Sequence, residues 1–424
     1  MSDPVKYLPP AAIPDGGAAA WPLPEAERWL KARTPVLFAP AVTSWVLVPL
    51  VLHAAVLLGW NEDEVTRGTV WDGYAPAVLL IALPLWFRFL PGATVAAAAV
   101  LAGTAALDLR TLPAADSAGR AGNWLVLALA LWTATGALLR LRARRRQRAI
   151  ALAVAGEARH PLPEDLPVGH RKRGLDMLLT GGGLCLAAAA LLVWALAEDL
   201  GAAEPGSYDG TGQQILALLL LVPGTTVLGR GATARAAARR LHRGPQPVLR
   251  MGVRSRFGVD WVYPDARTTD TRPLLTYADR FANGHTRGNG RLLLSASEEH
   301  LRRKHHDIDS SAEPYEVLLY GLPHEGAELV LEHAEYGHSG TRLRSAAKAA
   351  PARDLYRKDR YRWRAAGSSY RMKRRRQEAE DKERRRKAGA SSSGGCGSSS
   401  GCGSSSGCGS SCGSSCGGGC GGGD

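Results

Sequence analysis

The chain has 424 residues, enough for two or three domains, with 45% hydrophobic residues and a formal charge of +14 at pH 7. Seven cysteines in that length exclude a disulfide-built scaffold, and the basic balance points to anionic partners, lipid headgroups or nucleic acid. The averages hide a partition: residues 35–230 are rich in Ala, Leu, Val and Gly, residues 231–388 are polar and Arg-rich, and residues 389–424 are almost all Gly, Ser and Cys.

Residues 1–34 are Pro/Ala-rich with no short apolar core, which excludes a cleavable secretory signal; they are expected to be a cytoplasmic N-terminal segment. A membrane span needs about 20 predominantly apolar residues. Six stretches between 35 and 230 approach this: Pro35–Trp60, Tyr74–Leu90, Gly92–Leu107, Trp124–Leu141, Gly174–Ala197 and Gln213–Gly229. The second, third and sixth are short, and a re-entrant hairpin over 74–107 is the alternative to two spans. The expected fold is therefore a membrane α-helical bundle of about six spans, followed by a small mainly-β domain and a disordered tail.

The loops give the sidedness. Asn61–Gly73 holds Glu62, Asp63, Glu64 and Asp72 against Arg67 alone, and Glu198–Gly212 is acidic with no Lys or Arg. Arg140–Arg148 carries six Arg in nine residues, Arg171–Arg173 is basic, and Arg230, Arg235, Arg239, Arg240 and Arg243 follow the last stretch. Lys and Arg favour the cytoplasmic side, so both termini, the 142–173 loop and everything after 230 are expected in the cytoplasm. Trp60, Trp71, Trp124 and Trp194 lie near span ends, as interfacial anchors would. Gly181–Gly183, Gly224 and the Ala run 96–99 either let helices approach closely or reflect an Ala/Gly-rich composition.

His53 is the one ionisable group deep in a span, and hence the intramembrane polar candidate. A hydrogen bond to a neighbouring helix is the simpler reading of it. There is no ladder of carboxylates and no matched pair of interrupted helices, the usual pointers to a transporter.

Beyond Gly244-Pro245, which stops the last helix, short Val/Leu/Tyr-rich runs read as strands: Val248–Val253, Val259–Tyr263, Pro273–Tyr277, Arg291–Ser295, Tyr315–Tyr320 and Glu328–His333. The last two form a hairpin around residues 321–326. Five or six such strands in residues 231–345 suggest a small barrel or sandwich. Eight of the eleven His lie between 242 and 338. The densest run, His300–Asp309, interleaves Arg302, Arg303 and Lys304, which would repel a cation, so it reads as a solvated loop. The nucleotide-binding, hydrolase, metalloprotease and kinase signatures are all missing, so no enzyme is expected, and the sequence leaves any cofactor unknown.

Residues 346–388 form a basic segment. Arg357, Lys358, Arg360, Arg362, Trp363, Arg364, Lys373, Arg374, Arg375 and Arg376 place cations and an aromatic ring where an anionic inner leaflet would lie. A solvated helix over 371–387 ranks second, and nucleic acid third.

In the tail, residues 389–424, Cys396, Cys402, Cys408, Cys412, Cys416 and Cys420 sit on a Gly/Ser chain with too little apolar surface to fold. In a reducing cytoplasm they would be free thiols rather than disulfides. Four uses stay open: soft-metal ligation of zinc or copper(I), oxidant sensing, covalent modification, or low-complexity drift. Gly401-Cys402-Gly403-Ser404-Ser405-Ser406-Gly407-Cys408-Gly409 resembles the Gly/Ser/Cys core of thiazole/oxazole-containing microcins, which implies cyclisation of Cys and Ser onto the backbone. The Arg144-Arg145-Arg146 loop, the Pro314–Gly321 strand and the tail together resemble uncharacterised actinobacterial multi-pass membrane proteins with a cytoplasmic β domain. The combined expectation is a non-enzymatic inner-membrane protein that presents a binding domain and a thiol tail to a protein partner or soft metal. A transporter or channel, or a substrate for a peptide-modifying enzyme, is the alternative.

Overall fold

The computed structural model describes residues 7–59, 71–113, 116–164, 166, 169–202, 208–256, 259–267, 272–277, 315–337, 340–349 and 378–385. The chain divides into two units, Met1–Met372 and Lys373–Asp424. In the second unit, residues 378–385 form a helix exposed along its whole length.

The first unit begins with a short strand, β1 (Ala19–Ala20), and a helix, α1 (Leu23–Lys31). Six apolar helices follow: α2 (Pro40–Gly59), α3 (Tyr74–Phe89), α4 (Pro91–Thr111), α5 (Ser117–Ala155), α6 (Leu175–Gly201) and α7 (Thr211–His242). Five of them, α2 and α4 to α7, are long and apolar enough to cross a membrane. The count of six expected from the sequence meets its exception at α3. With 16 residues, α3 reaches only about 24 Å at 1.5 Å per residue, against a hydrocarbon core of about 30 Å. It ends where Leu90 leaves the helical region and Pro91, which has no N–H to contribute, opens α4.

Helix α5 runs for 39 residues, straight through the arginine run that reads as a loop in the sequence. Arg, Ala and Gln are strong helix formers, so nothing stops the helix before Gly156, whose φ of +65° suits glycine. At about 58 Å, it is roughly twice as long as a bilayer core is thick.

Helices α2 to α5 share one core, in which Leu47, Leu83, Phe87, Leu101 and Leu129 are buried. Helices α6 and α7 form an antiparallel pair, which meets the other helices where Leu90 packs on Gly229. Small residues recur every seven positions on both: Gly174, Gly181, Ala188 and Ala195 on one side, Ala217, Gly224, Gly231 and Ala238 on the other. A side-chain carbon added at Gly181 would lie 2.4 Å from the Leu228 nitrogen, and one at Gly174 would lie 2.5 Å from the Gly231 carbonyl. Gly182 and Gly183 face open space. Of the sequence's glycine cluster, only Gly181 is a contact residue. A seven-residue repeat keeps one stripe facing its partner along a left-handed crossing.

The β domain is a seven-stranded sheet in the order β4-β3-β2-β5-β6-β7, with β1 parallel to β2. The strands are β2 (Val248–Arg256), β3 (Val259–Tyr263), β4 (Leu275–Tyr277), β5 (Tyr315–Tyr320), β6 (Glu328–Gly337) and β7 (Gly340–Ala349). The expected 315–320/328–333 hairpin is present, with β6 longer than expected. The expected strand Arg291–Ser295 lies outside the described residues. Strand β7, polar and Arg-containing, had no counterpart in the sequence reading.

Both faces of this sheet are covered, which is why β5 is almost continuously apolar. On one face Leu249, Met251, Val317, Leu319 and Leu331 pack with Trp21 and Trp29 and with Ala151 and Ala155 of α5. On the other, Val248, Leu318, Tyr320 and Val330 pack with Leu8, Ala12 and Leu241 of α7. The N-terminal segment is thus part of the β domain's core. Trp29 Nε1 donates to the Pro323 carbonyl at 3.0 Å, and Trp21 meets Trp29 edge-to-face at 6.1 Å.

Candidate functional site

Among the described residues, buried ion pairs gather where α3, α5 and α7 meet the β5–β6 hairpin. Arg140 lies at the end of the apolar part of α5, and its side chain is fully buried. It donates through Nη1 to the Phe87 carbonyl and through Nη2 to the Arg88 carbonyl at 3.2 Å, both on α3. The same Nη2 donates to Glu325 Oε1 at 2.7 Å, in the hairpin turn. Arg144, one turn further along α5, reaches that oxygen at 3.2 Å. Gln147, a further turn along, accepts the Glu325 backbone N–H at 3.3 Å. Three α5 side chains at helical spacing therefore grip one turn.

Burial alone would raise the pKa of Glu325, but the charges of Arg140 and Arg144 and their hydrogen bonds outweigh it and hold the carboxyl below its ordinary range. The neighbouring His324 shifts downward. Burial is the main cause, the hydrogen bond to the Leu322 carbonyl opposes it, and Arg144, Arg148 and Arg240 add to it. His324 is held neutral beside an ionised Glu325.

A second cluster grips the base of the same hairpin. Glu328, with 1% side-chain exposure, pairs with Arg173 Nε at 2.9 Å through Oε1. His170 Nε2 lies 3.3 Å from the same oxygen, and His170 Nδ1 lies 2.9 Å from His242 Nε2 at the end of α7. One tautomer set satisfies the chain: His242 donates through Nε2 to His170 Nδ1, and His170 donates through Nε2 to Glu328. Nearby, Tyr320 donates to Glu332 at 2.6 Å in a buried pair. Burial first, then that carboxylate, drives the phenol's pKa up. The imidazoles and Glu328 are bonded to one another, and among the described residues no group of three His, Cys, Asp or Glu is placed to hold a metal.

His53 is exposed on the outer face of α2, beside Leu52 and Val56. The basic-segment residues from Arg357 to Arg376, the six tail cysteines and the His300–Asp309 run lie outside the described residues. Sequence reasoning missed Arg140, Glu325, His170 and Glu328. Arg140 was hidden in a run that reads as a solvated, orientation-setting loop. The one signal available was a pair of glutamates close together in sequence, Glu325 in the 321–326 turn and Glu328 just after it.

No known protein family, no curated protein and no solved structure matches the chain. The fold and the buried junction therefore carry the functional argument by themselves.

Proposed function

We propose that this chain is a non-enzymatic multi-pass protein of a bacterial inner membrane, with both termini cytoplasmic. Its helices mount a cytoplasmic β domain, and the basic segment and thiol tail reach from it to the anionic inner leaflet and to a protein partner or soft metal. The observation that carries this reading is the junction. Arg140 is buried between the bundle and the domain and bonded to both, so the two are built as one body. Five long apolar helices support insertion. So does the exposure of Trp45, Leu52, Leu131, Leu186, Val193 and Leu219 on the bundle's outer face. The arginines of the junction favour the cytoplasm for the β-domain end.

The bundle interior argues for a mount rather than a pathway. Four of its buried polar side chains bond carbonyls one turn back: Thr94 to Leu90, Asn123 to Gly119, Thr133 to Leu129 and Thr226 to Val222. A conducting or proton-relaying path would need such groups facing one another across helices.

The test is made in a Cys185→Ser background, using a membrane-impermeant maleimide on intact and permeabilised cells. Labelling of the tail only after permeabilisation is expected, and labelling of intact cells would overturn the sidedness. Zinc and copper content, compared between the full chain and a chain ending at residue 349, should fall on truncation. The truncated chain should stay in the membrane fraction. Equal metal content and equal partner recovery would remove the tail from the function. Intact mass discriminates the modified-peptide alternative, since ring formation lowers it by about 20 Da per ring.

A further inference from the structure

We propose that Arg88, Phe89 and Arg230 form a site for the headgroup phosphate of an anionic phospholipid, at the seam between α3 and α7. The proposal rests on the membrane reading above.

Arg88 and Phe89 close α3, and Arg230 comes from the middle of α7. The Arg230 guanidinium carbon lies 4.4 Å from the centre of the Phe89 ring, and that of Arg88 lies 5.3 Å from it. Two like charges are thus held against one ring. A ring face attracts a cation weakly and does not neutralise either charge. Three other arginines of the junction have carboxylates: Arg140 and Arg144 share Glu325, and Arg173 holds Glu328. Among the described residues neither Arg88 nor Arg230 has one within ion-pair distance.

The depth is right for a headgroup. The Arg88 carbonyl accepts from Arg140, whose Nη2 also reaches the hairpin turn, so the pair lies at the β-domain end of the bundle. Below it the seam is apolar and closed, with Leu90 packed so tightly on Gly229 that an added side-chain carbon would lie 2.5 Å away. Arg230 is exposed and Arg88 half-buried, so both heads can reach a ligand arriving from the bilayer side. Guanidinium forks match phosphate geometry, and basic pockets between helices on the cytoplasmic side suit anionic lipid headgroups. The apolar faces beneath would take the acyl chains, which a free phosphate lacks.

Full-length protein in mild detergent would be titrated with phosphatidylglycerol or phosphatidylcholine, and retained lipid counted by native mass spectrometry. Phosphatidylglycerol affinity should fall about fivefold for Arg88→Gln or Arg230→Gln and about 25-fold for both. Phosphatidylcholine retention should not change. Phe89→Leu keeps both charges and should lower phosphatidylglycerol affinity severalfold, which covers the case in which the double variant unfolds. Arg142→Gln with Arg145→Gln, an equal charge loss on α5, should cost less than twofold. Equal losses in that control would overturn the site in favour of diffuse attraction. So would unchanged affinity in the double variant, or inorganic phosphate competing as well as the lipid. Recovery of the wild-type chain outside the membrane fraction would sink the membrane reading itself, whereas insertion without phosphatidylglycerol preference would sink this site alone.

Discussion

The interior of the helix bundle and its junction with the β domain bury polar groups in opposite ways. In the bundle, Thr94, Asn123, Thr133 and Thr226 each bond a carbonyl one turn back on their own helix. At the junction, Arg140 joins α5 to α3 and to a hairpin turn 185 residues away in sequence. Glu328 likewise joins β6 to Arg173 and to the His170–His242 pair. Local bonding lets the bundle associate by shape, through small residues, whichever way the helices turn. Non-local bonding between buried charges specifies one docking, because every partner must be in place for any charge to be satisfied.

The largest expected effect tests the junction. Glu325→Gln leaves Arg140 buried without its counter-charge and should cost about 3–5 kcal/mol. Amide exchange in β5 and β6 should speed up while α6 and α7 keep their protection. Equal loosening of both regions would erase the contrast between them.

The next tests shape. Gly181→Ala drives a methyl group into the Leu228 backbone and should cost about 1–3 kcal/mol. Gly182→Ala, into open space, should gain up to about 1 kcal/mol from helix propensity. Thermal midpoints in detergent would report both, and a matched response at the two positions would contradict the close approach at Gly181.

A smaller effect separates the regions by pH. His324 has a folded pKa below its ordinary value, so the unfolded chain takes up its proton first, below about pH 6.5. Its contribution is complete above that and declines as pH falls towards the folded value. Glu325 also has a depressed folded pKa. Its stabilisation is present above the ordinary glutamate range and is lost as pH falls through the lower folded value. Both losses weaken the junction on acidification, His324 first. Near-ultraviolet circular dichroism of Trp21 and Trp29 should change before helix content does, and His324→Gln should flatten the upper limb.

The smallest effect lies outside both regions. Arg28 and Glu25 pair on the surface of α1, with 70% and 31% side-chain exposure. Arg28→Ala should move stability by no more than about 0.5 kcal/mol, as exposed helical pairs do.

The helices and the central hairpin were legible because their information is local. An apolar run has a length, and Tyr315–Tyr320 and Glu328–His333 announce themselves by β-rich composition around a Gly-Leu-Pro turn. Strand β7 was not legible, because Thr341, Arg342, Arg344 and Ser345 carry no apolar strand pattern, and only β6 supplies the ladder they bond to. Trp21 and Trp29 sit in a Pro/Ala-rich stretch with no periodicity, and only the sheet that buries them makes them core.

By itself the sequence determined which stretches shun water, where the cations gather and which strands turn back on each other, since composition and period suffice for these. Tertiary structure decided which of Gly181–Gly183 meets α7. It also decided that the N-terminal segment completes the β domain, and that one arginine of a six-arginine run is buried against Glu325. The physical reason is common to all three. Each depends on what lies opposite, and a chain read in order carries the residue but not its neighbour across the fold.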